Sequence, residues 1–177
     1  MDPVKASIDG YRRRAARQEL FILVWGPGEA KPDSPSLIKA LSAKRIQIRE
    51  ALQTEFPFSR VEFSESPELR RYTEDLGDLM TEELLHARAA DCIIILNTSP
   101  STRAEVDYFS QNATVASRMC VLQPDWEPTG AINIASDRRV SVFPFSKDDI
   151  DSCNLATRIS IKAAMVLAIR KHYLADH

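Results

Sequence analysis

The stretch DCIIILNTSPSTRAEVDYF, Asp91 to Phe109, joins the most continuous apolar run of the chain to an acid-bearing helical pattern. The run CIIIL is short, β-branched and without polar alternation, which is typical of a strand buried on both faces. A Ser-Pro-Ser-Thr turn follows, and the pattern then predicts a helix from about Thr102 to Ala116. Glu105 therefore either stabilises a helix start or lies in a pocket and acts chemically there.

Apolar runs of the same kind recur along the chain, separated by helical patterns. Strands are predicted at LFILVW (20–25), RVEF (60–63), RMCVLQ (118–123) and RRVSVF (138–143). Helices are predicted over 37–56, from after RVEF to about Ala89 with an interruption near Gly77, and from SKDD (146–149), where Ser146 and Asp149 resemble a capping box, to about Tyr173. The expected helix faces are apolar at Leu37, Leu41, Ile48 and Leu52 in the first, and at Ile150, Ile161 and Val166 in the last, where a core position is favoured over an interface.

Strands that alternate with helices, without hairpin signals between them, indicate a parallel sheet. The fold class predicted is α/β, a doubly wound, mainly parallel five-stranded sheet of the flavodoxin/Rossmann-like type with helices on both faces. One such domain over residues 19–177 is preceded by a basic amino-terminal helix or extension over residues 1–18. The arginines of YRRRAAR in that extension are expected to form a solvated face.

The composition excludes several classes of protein. A net charge of −2 gives no reason to expect nucleic-acid binding by the core domain. The sequence has neither a charged-then-apolar leader nor an apolar run of about 18 residues, so a cytoplasmic protein without membrane contact is expected. Cys92, Cys120 and Cys153 lack metal-ligand spacing and are expected to be reduced thiols, so neither a metal nor a cofactor is predicted.

Ligands of doubly wound folds bind outside the carboxyl ends of the parallel strands. Acids that the sequence places near those ends are therefore candidates for the site. Glu65 directly follows RVEF, Glu105 lies on the helix after CIIIL, and Glu83 lies on a helix that starts again after Gly77. Gly26, after the first strand, is expected to let the backbone approach a ligand closely. Its loop lacks both the P-loop ending and the dinucleotide-binding glycines, so it is interpreted as a wall of the cleft.

The segment AADCIIILNTSPSTRAEVDYF, residues 89–109, resembles the signature of the nucleoside 2-deoxyribosyltransferase-like family. The variant in bacterial antiphage effectors, including those of some retrons, is the most similar, and TIR domains are similar more distantly. The resemblance implies that Glu105 is the nucleophile, that Glu83 is an active-site acid and that Ser99 helps to hold the sugar. Glu65, Gly26 and Asn97 are grouped with Ser99 as substrate-binding residues. Ser101 and Asp107 depart from the pattern because they stand where the family has glycine.

Both families cleave N-glycosidic bonds, so the expected function is an N-glycosidase acting on NAD or a related nucleotide as an antiphage defence effector. A catalytically silent nucleotide-binding or scaffold module is the first alternative, and a salvage nucleoside deoxyribosyltransferase is the second. The expected partners are a small nucleotide or nucleoside substrate, further copies of the chain in a homo-oligomer, and a regulatory protein. Sites completed across subunit contacts in related enzymes motivate the oligomer.

Overall fold

The chain was analysed as a computed structural model that describes residues 3–126, 139–151 and 155–174. Its elements, in chain order, are α1 (Pro3–Ala16), β1 (Phe21–Trp25), α2 (Ser36–Glu55), β2 (Arg60–Phe63), α3 (Pro67–Arg70), a 3₁₀ turn (Glu74–Leu76), α4 (Leu79–Ala89), β3 (Cys92–Leu96), α5 (Pro100–Ser110), α6 (Ala113–Ala116), β4 (Met119–Pro124), β5 (Ser141–Phe145), α7 (Asp148–Asp151) and α8 (Leu155–Leu174). Within these ranges no helix is both long and apolar enough to cross a bilayer.

The five strands form one sheet in the order β2-β1-β3-β4-β5, and every neighbouring pair is parallel. In the middle of β1, Leu23 pairs with Glu62 on one side and with Ile93 on the other. The chain therefore builds outward from β1 to β2 and then returns to continue on the far side of β1. This confirms the doubly wound α/β prediction and puts the reversal of strand order between β1 and β3.

Successive side chains of the central strands enter two separate cores, because strand residues alternate between the faces of a sheet. Val24 and Ile94 belong to the core that includes residues of α2 and α8. Trp25 and Ile95 belong to the opposite core, in which Phe109 of α5 lies against Trp25 with 5.0 Å between the ring centroids. All five side chains are at most 1% exposed. The continuous apolar character of these strands thus reflects burial on both faces.

Helix α2 confirms the predicted helix over 37–56 to within one residue. Leu41, Ile48 and Leu52 are buried, whereas Leu37, which was grouped with them by helical spacing, is 37% exposed. Leu37 lies in the first turn of α2, where no residue from Ser36 to Ala40 is buried.

The helix predicted from about Thr102 to Ala116 is two helices, α5 and α6. The break occurs at Asn112, whose Oδ1 accepts hydrogen bonds from Thr114 N at 3.1 Å and Val115 N at 3.3 Å and so caps α6. An asparagine that satisfies its own downstream backbone amides favours a new helix start over continuation. The predicted interruption near Gly77 is confirmed, since that glycine adopts φ 65° after the 3₁₀ turn.

The carboxyl-terminal part of the chain differs from the prediction at its boundaries. The last strand is Ser141–Phe145, and Arg139, with φ 74°, turns the chain just before it. Arg138, the first residue of the predicted strand, lies outside the described residues. Helices α7 and α8 replace the single helix predicted from SKDD, and residues 152–154 between them are also outside the described ranges. Asp149 Oδ2 accepts from Ser146 N at 2.8 Å, as one half of a capping box would.

Helix α8 packs through a narrow stripe of small residues rather than through its large apolar ones. Ala156, Ser160, Ala164 and Ala168 recur every fourth residue and are at most 1% exposed. Val166 is 41% exposed, so the core position favoured for it was wrong, whereas Ile150 is buried as expected. Small side chains let the helix approach the sheet closely, and this leaves its larger apolar side chains at the margin.

The amino-terminal extension is α1, which packs against α8. Its arginines, Arg12, Arg13 and Arg14, and Arg17 just beyond the helix are exposed, as expected for a solvated face. Cys92 and Cys120 are free and buried in the strands, in agreement with reduced thiols, while Cys153 lies outside the described residues.

Candidate functional site

The carboxyl ends of β1 and β3 lie side by side, with Trp25 paired to Ile95, and the chain leaves them toward opposite faces of the sheet. After β1 it passes through Gly26 to α2, which contributes to one core. After β3 it passes through Asn97 to α5, which contributes to the other core. Divergent connections of this kind open a crevice at the rim of the sheet, where ligands bind in doubly wound folds.

Ser99 and Thr102 form a reciprocal capping box at the start of α5. Ser99 Oγ accepts from Thr102 N at 3.2 Å, and Thr102 Oγ1 accepts from Ser99 N at 3.1 Å. The helix therefore begins at Pro100, two residues before the predicted start, and its first turn contains no acid. Glu105 is consequently not a cap, and first-turn dipole stabilisation does not account for it.

Glu105 is half-buried, and burial is the main cause that raises the pKa of its carboxyl group from 4.5 to about 7. The negative charge of Glu83 raises that pKa further, Arg45 opposes the rise, and Glu65 adds to it. Four side chains from four parts of the fold thus interact electrostatically: Glu105 from α5, Glu83 from α4, Glu65 from the β2–α3 connection and Arg45 from α2. The structure therefore brings together all three acids proposed from the sequence.

Glu83 also lies in an environment that favours the protonated acid. Burial raises the pKa of its carboxyl group, the nearby charge of Arg70 opposes this, and Glu65 and Glu82 raise the pKa again. The helix that carries it starts with Asp78, whose carboxylate caps α4 by accepting from Thr81 N at 3.1 Å. Burial therefore raises the pKa of both carboxyl groups, and the charge of Glu83 adds to the rise at Glu105.

Arg45 is the side chain that sequence reasoning missed, and it organises the rim. It is 3% exposed and makes two hydrogen bonds of 2.6 Å with the carboxylate of Glu65. It also donates to the carbonyl oxygens of Val24 at 2.9 Å and Pro27 at 3.2 Å, and it lies 4.4 Å from the ring centroid of Phe63. One guanidinium group therefore holds the end of β1, the turn after it and the connection after β2.

Glu65 is fixed by Arg45 rather than free to titrate near neutral pH. Burial alone would raise the pKa of the Glu65 carboxyl group, but the hydrogen bonds and charge of Arg45 outweigh it, and the pKa lies below 4.5. The Glu65 side chain remains 43% exposed, so the carboxylate is held at the surface of the crevice. Its negative charge is available to a ligand there, although its position depends on Arg45.

A signal for Arg45 is present in the sequence. The position lies four residues after Leu41 and three before Ile48, so it shares the helix face that both of these bury. A charged residue on an apolar face must find a partner or remain costly to bury. Its partner, Glu65, is 20 residues away, and no helical periodicity connects the two.

The end of β3 presents buried polar atoms toward the rim. Asn97 is 1% exposed, and its Nδ2 donates to Gln123 Oε1 at 2.7 Å. Among the described residues, neither Asn97 Oδ1 nor Thr98 Oγ1 has a hydrogen-bond partner, although both atoms are buried. An unpaired buried acceptor costs about 1–3 kcal/mol, which a donor group on a ligand would offset. Because Asn97 is almost fully buried, its contact with a substrate stays a prediction.

Gly26 is packed against protein atoms rather than against open space. A Cβ added there would lie 3.1 Å from Leu96 Cβ and 3.2 Å from Arg45 Cδ. The glycine thus permits the close approach of α2 and β3 that lets Arg45 reach the β1 carbonyls. Its contribution to the rim is to keep Arg45 in place.

We expect Gly26→Ala to lower the free energy of unfolding by about 1–3 kcal/mol, because the added methyl group must displace the Arg45 stem or β3. Gly28→Ala is the matched control, since a Cβ there would meet no atom within 4 Å. Urea denaturation of both variants measures the difference. An equal loss of stability in the two would contradict the packing argument.

The protonation of Glu105 makes stability fall as pH rises. Between about 4.5 and 7 the folded protein retains a proton that the unfolded chain has released. The resulting stabilisation is complete below about 4.5 and is lost as pH rises through about 7. We expect wild type to lose more stability than Glu105→Gln between pH 5 and pH 8 in urea denaturation. Parallel pH profiles for the two proteins would show that the carboxyl group is not buried as described.

In the described part of the chain, no group of three or more His, Cys, Asp or Glu side chains is arranged to hold a metal ion. A scan against protein-family models finds no match for the chain, and a search of curated proteins finds no similar sequence.

Proposed function

We propose that the protein cleaves the N-glycosidic bond of NAD or a related nucleotide in the cytoplasm, with Glu105 as the nucleophile and Glu83 as the acid beside it. The observation that carries the proposal is the half-buried Glu105 carboxyl group at the switch-point crevice, whose pKa is raised to about 7 by burial and by the charge of Glu83. The role of an antiphage effector rests on the resemblance of residues 89–109 to such proteins.

The proposed reaction has two steps. The Glu105 carboxylate attacks the anomeric carbon as the bond from that carbon to the base nitrogen breaks, and the bonding electrons leave with the base. Water then attacks the same carbon, which releases the sugar product and restores the carboxylate. Glu83 gives a proton to a base that leaves as an anion, and Ser99 contacts a sugar hydroxyl group.

The charge of the site favours a substrate whose base is cationic. Arg45 and Glu65 neutralise each other, so the charge of the crevice depends on Glu105 and Glu83, whose carboxylate forms are disfavoured by burial. The positively charged nicotinamide ring of NAD would lower the pKa of Glu105 on binding and so favour its carboxylate form. Nicotinamide also leaves as a neutral molecule, and it needs no proton from Glu83. These two features support NAD over an uncharged nucleoside.

The proposal is tested by incubating the purified protein with NAD and, separately, with a panel of deoxynucleosides, followed by chromatography of the released bases. We expect free nicotinamide from NAD. Exchange of a nucleobase between deoxynucleosides would favour the salvage transferase instead. Binding of NAD without any product, measured by calorimetry at the same protein concentration, would favour the silent module.

A further inference from the structure

A groove of about 830 Å³ lies between α1 and α8, apart from the residues of the proposed active site. Its apolar lining includes Ile8 of α1 and, from α8, Ile161, Met165, Val166 and Ile169. The groove exists because α8 uses its small-residue stripe to pack on the rest of the fold. The large apolar side chains of α8, which lie beside that stripe, are left facing α1.

Helix α1 is attached firmly at one end and leaves apolar side chains uncovered at the other. Ala15 is 1% exposed, and Gln18 Nε2, just beyond the helix, donates to Ala168 O at 3.0 Å. Toward the amino terminus, by contrast, Val4 is 64% exposed and Ile8 is 46% exposed. Uncovered apolar side chains beside a groove are typical of a surface that binds another molecule.

The charged residues that line the groove are mainly cations. They are Arg12, Arg158 and Lys162, with Glu55 as the acid. Arg12 lies 4.0 Å from Asp9, whereas neither Arg158 nor Lys162 has an ion-pair partner among the described residues. Arg158 and Lys162 are four residues apart on α8 and therefore lie on the same side of the helix.

We propose that this groove binds an amphipathic helix of another protein, with apolar residues on one face and acidic residues flanking them. The α8 residues that line the groove run from Arg158 to Ile169, which corresponds to about 16 Å or three helical turns. A helix of that length presents apolar residues at i, i+3, i+4 and i+7 to the floor of the groove and places acids against Arg158 and Lys162. Arg158 and Lys162, which have no ion-pair partner within the described ranges, select the sign of the flanking charge.

The observations favour this occupant over two others. A second copy of the chain, docked through the same face, would bring the cations of both copies together around only two acids. A nucleic acid would pair with the cations but would leave the apolar floor in contact with water. An acidic amphipathic helix covers the apolar floor of the groove and also pairs with the cations beside it.

The test uses two synthetic amphipathic peptides of about 14 residues that have the same apolar face and carry either glutamate or lysine beside it. Fluorescence anisotropy at low salt is expected to show at least about 10-fold tighter binding of the glutamate peptide. The double substitution Arg158→Glu with Lys162→Glu is expected to reverse the preference. Arg13→Glu with Arg88→Glu makes the same change in net charge at exposed positions that do not line the groove, and it should keep the wild-type preference.

Ile8→Glu supplies a second arm, in which both peptides should lose affinity while the circular dichroism spectrum stays unchanged, because Ile8 is half exposed. The proposal is overturned if neither peptide binds, if both bind equally, or if the charge-reversed double variant keeps the wild-type preference. It is also overturned if wild type is a dimer that Ile8→Glu converts to monomers, since a second copy would then occupy the groove. None of these outcomes depends on the reaction proposed for Glu105.

Discussion

Glu105→Gln is expected to lower the rate of nicotinamide release from NAD by on the order of 10³-fold or more, because the amide is a poor nucleophile toward the anomeric carbon. The same substitution should raise Tm at pH 8. Wild type must bury a carboxylate among other acids at that pH, whereas the glutamine is neutral. Loss of activity together with increased stability is a signature that damage to the fold cannot produce.

The matched control for this experiment is Glu50→Gln, which removes the same charge from an exposed position on α2. The Glu50→Gln protein should keep the turnover and the Tm of wild type. Product release is measured by chromatography, and Tm by circular dichroism on the same samples. A Glu105→Gln protein that still releases nicotinamide at the wild-type rate would remove Glu105 from the nucleophile role.

Arg45→Met is expected to lower the free energy of unfolding by about 2–4 kcal/mol, because it removes a buried hydrogen-bonded cation from its partners. Methionine fills a similar volume, but it leaves the carbonyl oxygens of Val24 and Pro27 without the donors that they have in wild type. It also leaves Glu65 without a counter-charge beside two other acids. Substrate turnover should fall as well, since the Arg45 guanidinium group positions both the turn after β1 and Glu65.

Arg49→Met, one turn further along the same helix, is the control. Arg49 is half-buried, its Nε donates a hydrogen bond to Val61 O at 3.2 Å, and its guanidinium group lies 5.3 Å from the Phe63 ring centroid. Its loss should cost about 1 kcal/mol. Urea denaturation of both variants gives the comparison. If Arg45→Met costs no more than Arg49→Met, then Arg45 does not organise the rim as proposed.

The sheet could be predicted from sequence because a strand that is buried on both faces consists of consecutive apolar residues. CIIIL and FILVW have no polar alternation, and their alternation with helical patterns along the chain indicated the parallel arrangement. The rule that ligands bind at the carboxyl ends then selected Glu105, Glu83 and Glu65, which do interact in the structure. What identified the crevice was topology, which depends on the order of the elements more than on their exact bounds.

The features that sequence reasoning missed depend on contacts between distant residues. Arg45 lies on an apolar helix face, and its partner, Glu65, is 20 positions later in the sequence. Val166 resembles a core residue until the stripe through Ala164 and Ala168 takes the buried face of α8. Size decides which residues of α8 are buried, and pairing with Glu65 allows Arg45 to be buried.

The capping box of α5 has a consequence for how this protein can evolve. Ser99 and Thr102 start the helix by themselves, so no structural task falls on the acid at position 105. A single substitution there would therefore remove the reactivity proposed for Glu105 without disturbing the scaffold, and no compensating change is required. Forms of the chain with and without the proposed activity would then differ by one codon, and both would keep the groove between α1 and α8.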